Sequence, residues 1–158
     1  MAMNDLYSLE GTVALVTGGS RGLGREMVKA MAAAGADVAI ASRKQEACDA
    51  LAAELEQQTG RRAIGYGCHV GRWDEVGDLV EAVYDDFGRV DVLVNNAGMS
   101  PLYPDLVSVT EELWDKVFGV NVKGPFRLAA LVGARMADGN GGSIINVSSV
   151  AAIRPTAN

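Results

Sequence analysis

Five short apolar runs, each followed by a helix-like period, constrain this chain more than any other feature. The runs are TVALVT (12–17), DVAIAS (37–42), RAIGYGC (62–68), VDVLVN (90–95) and SIINV (143–147). Four of them are continuous in Val, Ile, Leu and Ala rather than alternating with polar residues. Such strands are buried on both faces, as in a parallel sheet covered by helices on each side. The third run is less apolar and is expected nearer an edge. Between the runs apolar residues return at spacings of three and four: Leu23, Met27 and Met31; Ala47, Leu51 and Leu55; Val76, Leu79, Val80, Val83 and Phe87. The longest period runs from 111 to about 136, with Leu113, Val117, Val120, Leu128, Leu131 and Val132 on its stripe. Gly35, Gly60 and Gly88 sit where left-handed helix ends belong.

The order βαβαβαβαβ defines an α/β fold, a Rossmann-type doubly wound parallel sheet. Five strands are present, whereas the dinucleotide-binding form of this sheet has six. The chain is therefore expected to be a single dinucleotide-binding domain over 1–158, incomplete at its carboxyl end. SIINV would then be an edge strand with a bare outer side, prone to aggregation.

Composition narrows the partners. The 158 residues carry 14 Lys and Arg against 20 Asp and Glu, a net charge of −6. Neither nucleic acid nor an anionic membrane suits such a surface, because both select a basic face. Cys48 and Cys68 form no CxxC pair and the chain has one histidine, so no metal site and no disulfide framework is expected. Two reduced thiols fit a cytoplasmic protein. No apolar run reaches the roughly 18 residues of a membrane helix. The polar, acidic start MAMNDLYSLEG has no apolar segment behind a basic flank, so it does not read as a signal peptide.

Directly after the first run comes Thr17-Gly18-Gly19-Ser20-Arg21-Gly22-Leu23-Gly24, and a helical period follows. Glycines in a strand-to-helix turn let the backbone approach a pyrophosphate, whose charge then sits at the helix N-terminus. The spacing is G-x-x-x-G-x-G rather than G-x-G-x-x-G; a tight turn without ligand would use the same residues. The second run ends in Ala41-Ser42-Arg43. An acidic side chain at that point would take a ribose 2′-hydroxyl, whereas an arginine suits the 2′-phosphate of NADP. No carboxylate is there; Asp37 opens the strand at its other end. Arg43, with Arg21 in the glycine turn, favours NADP(H) over NAD(H), the alternative being a solvated arginine pair.

These residues resemble the short-chain dehydrogenase/reductase family. TGGSRGLG looks like its cofactor turn, and Asn95-Asn96-Ala97-Gly98 is similar to its NNAG signature. Asn121 in VNVKG matches the family's asparagine, and GSIINVSS matches the strand that carries its serine, here Ser149. The resemblance covers about 9–152. It implies hydride transfer between a nicotinamide cofactor and a small carbonyl or alcohol substrate, in a homo-oligomer (dimer or tetramer). Ser149 would position the substrate oxygen and Asn121 would hold a relay water. Gly18, Ser20, Arg21, Gly22, Leu23, Gly24, Ser42, Arg43, Asn96, Ala97 and Gly98 would contact the cofactor. Val70 would meet the adenine beside His69, where the family usually has aspartate; no catalytic role falls to His69.

The family's tyrosine and lysine, spaced Y-x-x-x-K after the serine strand, are not found. Tyr7, Tyr66, Tyr84 and Tyr103 have Gly11, Val70, Gly88 and Val107 four places on. The motif would lie beyond Asn158, so the 158 residues are expected to be inactive by themselves. The alternative is a non-catalytic dinucleotide-binding or self-associating fragment.

Three further expectations follow. Pro125 cannot donate to the carbonyl of Asn121 and should kink the long helix, leaving an acceptor free beside that asparagine. Gly124, Ala129, Ala130, Gly133 and Ala134 are small enough to admit a neighbouring helix, where the family places a subunit interface. The segment MSPLYPDL (99–106) is expected to line the substrate side, its apolar character favouring a substrate other than a sugar. Ser148 and Ser149 could also simply satisfy turn backbone groups.

Overall fold

The computed structural model describes residues 5–154; sequence readings that fall on 1–4 and 155–158 lie outside the described residues. The strands are β1 (Val13–Thr17), β2 (Asp37–Ser42), β3 (Ala63–Gly67), β4 (Val92–Asn95) and β5 (Ser143–Asn146). The helices are α1 (Gly22–Ala33), α2 (Gln45–Thr59), α3 (Trp73–Phe87), α4 (Glu111–Phe118) and α5 (Gly124–Asp138). The strands form one parallel sheet in the order β3-β2-β1-β4-β5. All five residues of β1 are buried, as its unbroken apolar sequence requires.

Strands β1, β2 and β4 each serve two cores. Leu15, Ala39 and Leu93 pack with Val76, Leu79, Val80 and Val83 of α3 and with Leu128, Val132 and Met136 of α5. Ala14, Val16, Val38, Ile40 and Val94 pack with Val28 and Ala32 of α1 and Leu51 and Leu55 of α2. Burying each such Val or Leu contributes about 1.5–3 kcal/mol. The third run is an edge strand, as its composition indicated. Its outward backbone is covered by Gln45, whose side chain accepts from the Gly67 N–H and donates to the Gly65 carbonyl (2.9 Å). At the other edge β5 is exposed along its length.

Gly35, Gly60 and Gly88 all have positive φ (105°, 68° and 75°) at the ends of α1, α2 and α3, and after α1 the Ala36 N–H donates back to the Met31 carbonyl (3.0 Å) across Gly35. One helix reading needs correction. The single helix expected over 111–136 is two helices joined by a π turn, Gly119–Lys123. Here Gly124 N–H donates to the carbonyl of Gly119, five residues back. The wide turn places Pro125 in the first turn of α5, where a missing N–H breaks no helical bond. A π bulge therefore stands where the kink was expected. Gly124 is also not free for a neighbouring helix. It is buried, and a Cβ there would fall on the Val70 carbonyl.

Candidate functional site

Leaving β1, the chain builds β2 and β3 on one side; β4 and β5 lie on the other. In an open parallel sheet the crevice forms where that direction reverses, at the carboxyl ends of the strands. Here it lies between β1 and β4, and a polar knot closes its floor. Thr17 is buried; its Oγ1 donates to the Val94 carbonyl (3.2 Å) and accepts from Asn96 N–H and Ala97 N–H (both 3.1 Å). The Asn96 side chain donates to the carbonyls of Thr17 (2.9 Å) and Gly18 (3.3 Å). The glycine turn and the NNAG segment are thus one hydrogen-bonded unit.

Sequence reasoning missed Thr17. Its one signal was a hydroxyl at the end of an otherwise apolar, doubly buried strand. Replacing Thr17 with valine keeps the shape and removes the oxygen. The Ala97 N–H then loses its partner, whereas the Val94 carbonyl and the Asn96 N–H keep each other (3.1 Å). An unmet group costs roughly 1–3 kcal/mol, so Thr17→Val should destabilise by about that much, read as a lower denaturant midpoint at unchanged slope.

The glycine turn feeds α1 directly. Gly18 has φ +64°, and Asn96 Nδ2 and Ala97 Cα crowd the place where a side chain would sit. No side chain caps the first turn of α1, so its N–H groups face the turn unclaimed. Gly22 and Leu23 are exposed there, Ser20 is half-buried and Gly24 is buried. At the end of β2, Ser42 Oγ and Cys48 Sγ share a hydrogen bond (3.0 Å). Arg21, Arg43 and Lys44 are exposed, and none joins an ion pair among the described residues. Lys44 was not singled out in the sequence, although it adjoins Arg43.

Beyond β3, His69 is committed to its own loop. Its N–H donates to Glu75 Oε2 (2.7 Å), and its ring Nδ1 accepts from Gly71 N–H (3.1 Å). Arg72 and then the His69 N–H hold the Glu75 carboxyl below the usual carboxylate range. The buried Val70 beside it packs against α5 through Gly124.

A cleft of about 1360 Å³ opens above β4 and β5. Most small-ligand pockets measure roughly 300–1,000 Å³. Its lining brings together Leu23, Asn96, Ala97, Gly98, Asn121 and Ser149; Arg21, Arg43 and His69 stand outside it. Met99, Pro101, Tyr103 and Leu106 from the 99–106 segment contribute to one wall. Asn121 lies in the π turn, and its side chain is already engaged: Oδ1 accepts from Met99 N–H (2.9 Å) and Nδ2 donates to the Met99 carbonyl (2.8 Å). This amide pair fixes the loop leaving NNAG. Ser149 is exposed, and its Oγ accepts from Ala151 N–H (3.2 Å) at the start of the 3-10 turn Val150–Ala152.

The thiols stand apart from this site. Cys48 and Cys68 are free, buried and in the cores on opposite faces of the sheet. Burial raises Cys48, and pushes Cys68 up to about 12, so both are neutral and poor nucleophiles. Among the described residues no helix is long and apolar enough to cross a membrane, and no group of three or more His, Cys, Asp or Glu could hold a metal ion.

A doubly wound sheet, a glycine turn knotted to NNAG at the switch point, and a cleft holding Asn121 and Ser149 define a Rossmann-type α/β class. The chain belongs to the short chain dehydrogenase family, whose pattern matches residues 12–158. It is 41% identical over 147 residues to bovine (Bos taurus) dehydrogenase/reductase SDR family member 4, covering 93% of this chain and 52% of that protein. A metagenomic short-chain oxidoreductase solved in complex with NADP superposes with a TM-score of 0.89 at 34% identity, covering 94% of this chain and 67% of that one. L-sorbose reductase from Gluconobacter frateurii, complexed with NADPH and L-sorbose, superposes at 0.90 with 30% identity, covering 96% and 57%. The chain spans about half the length of the curated relatives it matches.

Proposed function

We propose that this chain forms the dinucleotide-holding half of an NADP(H)-dependent oxidoreductase acting on a small carbonyl or alcohol. The observation that carries this reading is the knot of Thr17, Gly18 and Asn96 at the switch point, flanked by Arg21 in the glycine turn and by Arg43 and Lys44 at the end of β2, all three unpaired among the described residues. The residues fit the cofactor. The turn leaves no room for side chains at Gly18 and Gly24, and presents open N–H groups toward a pyrophosphate. Gly18, Ser20, Arg21, Gly22, Leu23 and Gly24 cradle the diphosphate; Ser42 and Arg43, with Lys44, meet the 2′-phosphate. Val70 and the loop closed by His69 border the adenine, and Asn96, Ala97 and Gly98 border the nicotinamide side. When bound, the nicotinamide supplies or accepts the hydride. Ser149 orients the substrate oxygen by hydrogen bonding, and Asn121 pins Met99 while its carbonyl holds a relay water. Two solved relatives, one in complex with NADP and one with NADPH, support the cofactor choice.

The protein is read as a cytoplasmic homo-oligomer, a dimer or tetramer. Trp114, Phe118, Val122 and Phe126 form an exposed stripe across α4, the π turn and α5, with Trp114 stacked on Phe118 at 4.4 Å. A second reading, dinucleotide binding or self-association without chemistry, is favoured by one observation: no tyrosine in these 158 residues has a lysine four places on.

Arg43 tests the cofactor choice. A charge-assisted contact contributes about 1.5–3 kcal/mol, so Arg43→Ala should weaken NADP(H) by roughly ten- to a hundredfold and leave NAD(H) nearly unchanged. Titration of both dinucleotides against both proteins checks this. The preference should shrink in high salt. An equal loss for the two cofactors would show that Arg43 does not meet the phosphate.

A further inference from the structure

Strand β5 carries Ser149 to the cleft, yet little in its own sequence fixes how it sits on β4. It has four residues and, among the described residues, one neighbouring strand. Apolar side chains occupy both of its faces. Ile144 approaches α5 at Gly133, whereas Val147 packs with the α1–α2 core. Register is set by the apolar pattern where one face is polar and the other buried, and is weakly set where both faces look alike. Sliding SIINV by one residue would exchange one isoleucine for another and meet little opposition from burial.

One directional contact opposes that slide. Asn95, 3% exposed, lies opposite Asn146 in the β4–β5 register, and its Nδ2 donates to Asn146 Oδ1 (2.9 Å). Asn95 Oδ1 is buried and has no donor among the described residues, so the amide depends on Asn146 for its one side-chain partner. A slip of one residue sets Ile145 or Val147 opposite Asn95 and leaves the whole amide unmet. A buried polar side chain with one cross-strand partner sets register because the misaligned alternative orphans it.

We propose that Asn95 and Asn146 are positioning residues: a cross-strand amide pair that selects the register of β5 on β4 and thereby the depth at which Ser149 enters the cleft. The consequence for Ser149 rests on the function proposed above, but the register does not. One residue of slip translates Ser149 by about 3.3 Å along the strand. Misplacement of a reacting group by about 1 Å can already lower a rate a hundredfold.

The experiment needs neither cofactor nor substrate, so its failure is separate from failure of the proposed activity. Backbone amide resonances of residues 143–149 are recorded for the isotope-labelled 158-residue chain, for Asn95→Leu/Asn146→Leu, and for Asn146→Asp. The wild type and Asn146→Asp, which keeps an acceptor opposite Asn95 Nδ2, should each give one set. The double leucine variant removes the amides together, so the core stays satisfied while the selection is lost. It should show a second set at about one tenth of the intensity or more. A single set at wild-type positions in the double variant, or doubling in Asn146→Asp, overturns the proposal. If the double variant does not fold, Asn146→Leu alone decides, since position 146 is exposed. Hydrogen exchange of peptide 143–149 should then be about tenfold faster or more in Asn146→Leu than in Asn146→Asp. Equal exchange overturns the proposal.

Discussion

Purified and supplied with NADPH and a panel of ketones, the 158-residue chain should consume no cofactor above the rate of buffer. A carbonyl oxygen that receives hydride must also receive a proton. A positioned general acid supplies that proton with an advantage of about 10²–10⁴-fold. None of the four tyrosines is built for the role. The Tyr66 hydroxyl donates to Asp86 Oδ2 (2.7 Å) on the outer surface, and burial together with that carboxylate raises its pKa. Tyr84 lies under the Arg135 guanidinium at 4.4 Å, near the amino end of β4. Tyr7 precedes β1, and Tyr103, though it lines the cleft, has Val107 rather than a cation four places on. Dinucleotide binding, by contrast, should persist, because the glycine turn and the NNAG knot are intact. Steady turnover would overturn this expectation and identify Tyr103 as the first residue to replace. When these residues are joined to a segment bearing tyrosine and lysine four apart, turnover should appear. Ser149→Ala should then lower turnover more than cofactor affinity.

What could be read from the sequence, and what could not, divides by range along the chain. β1, β2 and β4 announce themselves because burial on both faces demands unbroken apolar residues, a local property. β3 announces its edge position by the same rule, through the glycines and tyrosine that dilute it. The glycine turn and Arg43 were legible because each occupies a position defined by the end of a strand. The π turn was not. It exists because Gly124 must approach the Val70 carbonyl while Pro125 cannot donate, and the first of these conditions joins residues that no periodicity connects. Thr17 was overlooked for the same reason. Its partners, Val94, Asn96 and Ala97, lie 77–80 residues away, so its importance is set by the strand order and not by its neighbours. The side-chain bond of Asn121 to Met99 spans 22 residues and was likewise hidden behind the expectation of a relay water.

Two glycines of the same turn should respond very differently to alanine, because they are glycine for different reasons. Gly22 has φ +55° and open space where a Cβ would go. Alanine there bears only the left-handed backbone strain of roughly 1–2 kcal/mol, with no atom displaced. Gly24 is helical and crowded. A Cβ would strike the Gly18 carbonyl oxygen and come within 2.6 Å of Asn96 Nδ2. Neither neighbour can yield alone. Gly18 is fixed at positive φ in the turn, and Asn96 is tied to Thr17 and Gly18. The shift must therefore separate α1 from the turn or break the Asn96 bonds. Overpacking of this sort costs about 1–3 kcal/mol before the lost hydrogen bonds are added. It falls on the backbone that faces the pyrophosphate, so Gly24→Ala should weaken NADP(H) by about a hundredfold or more, equivalent to at least ~2.7 kcal/mol. Gly22→Ala should weaken it by about tenfold or less. Titration of NADPH, with the cofactor-induced rise in melting temperature as a second readout, gives the ranking directly. Stronger binding by Gly24→Ala than by Gly22→Ala would mean that the diphosphate is held by the exposed rim of the turn and not by the close approach of α1 to the end of β1.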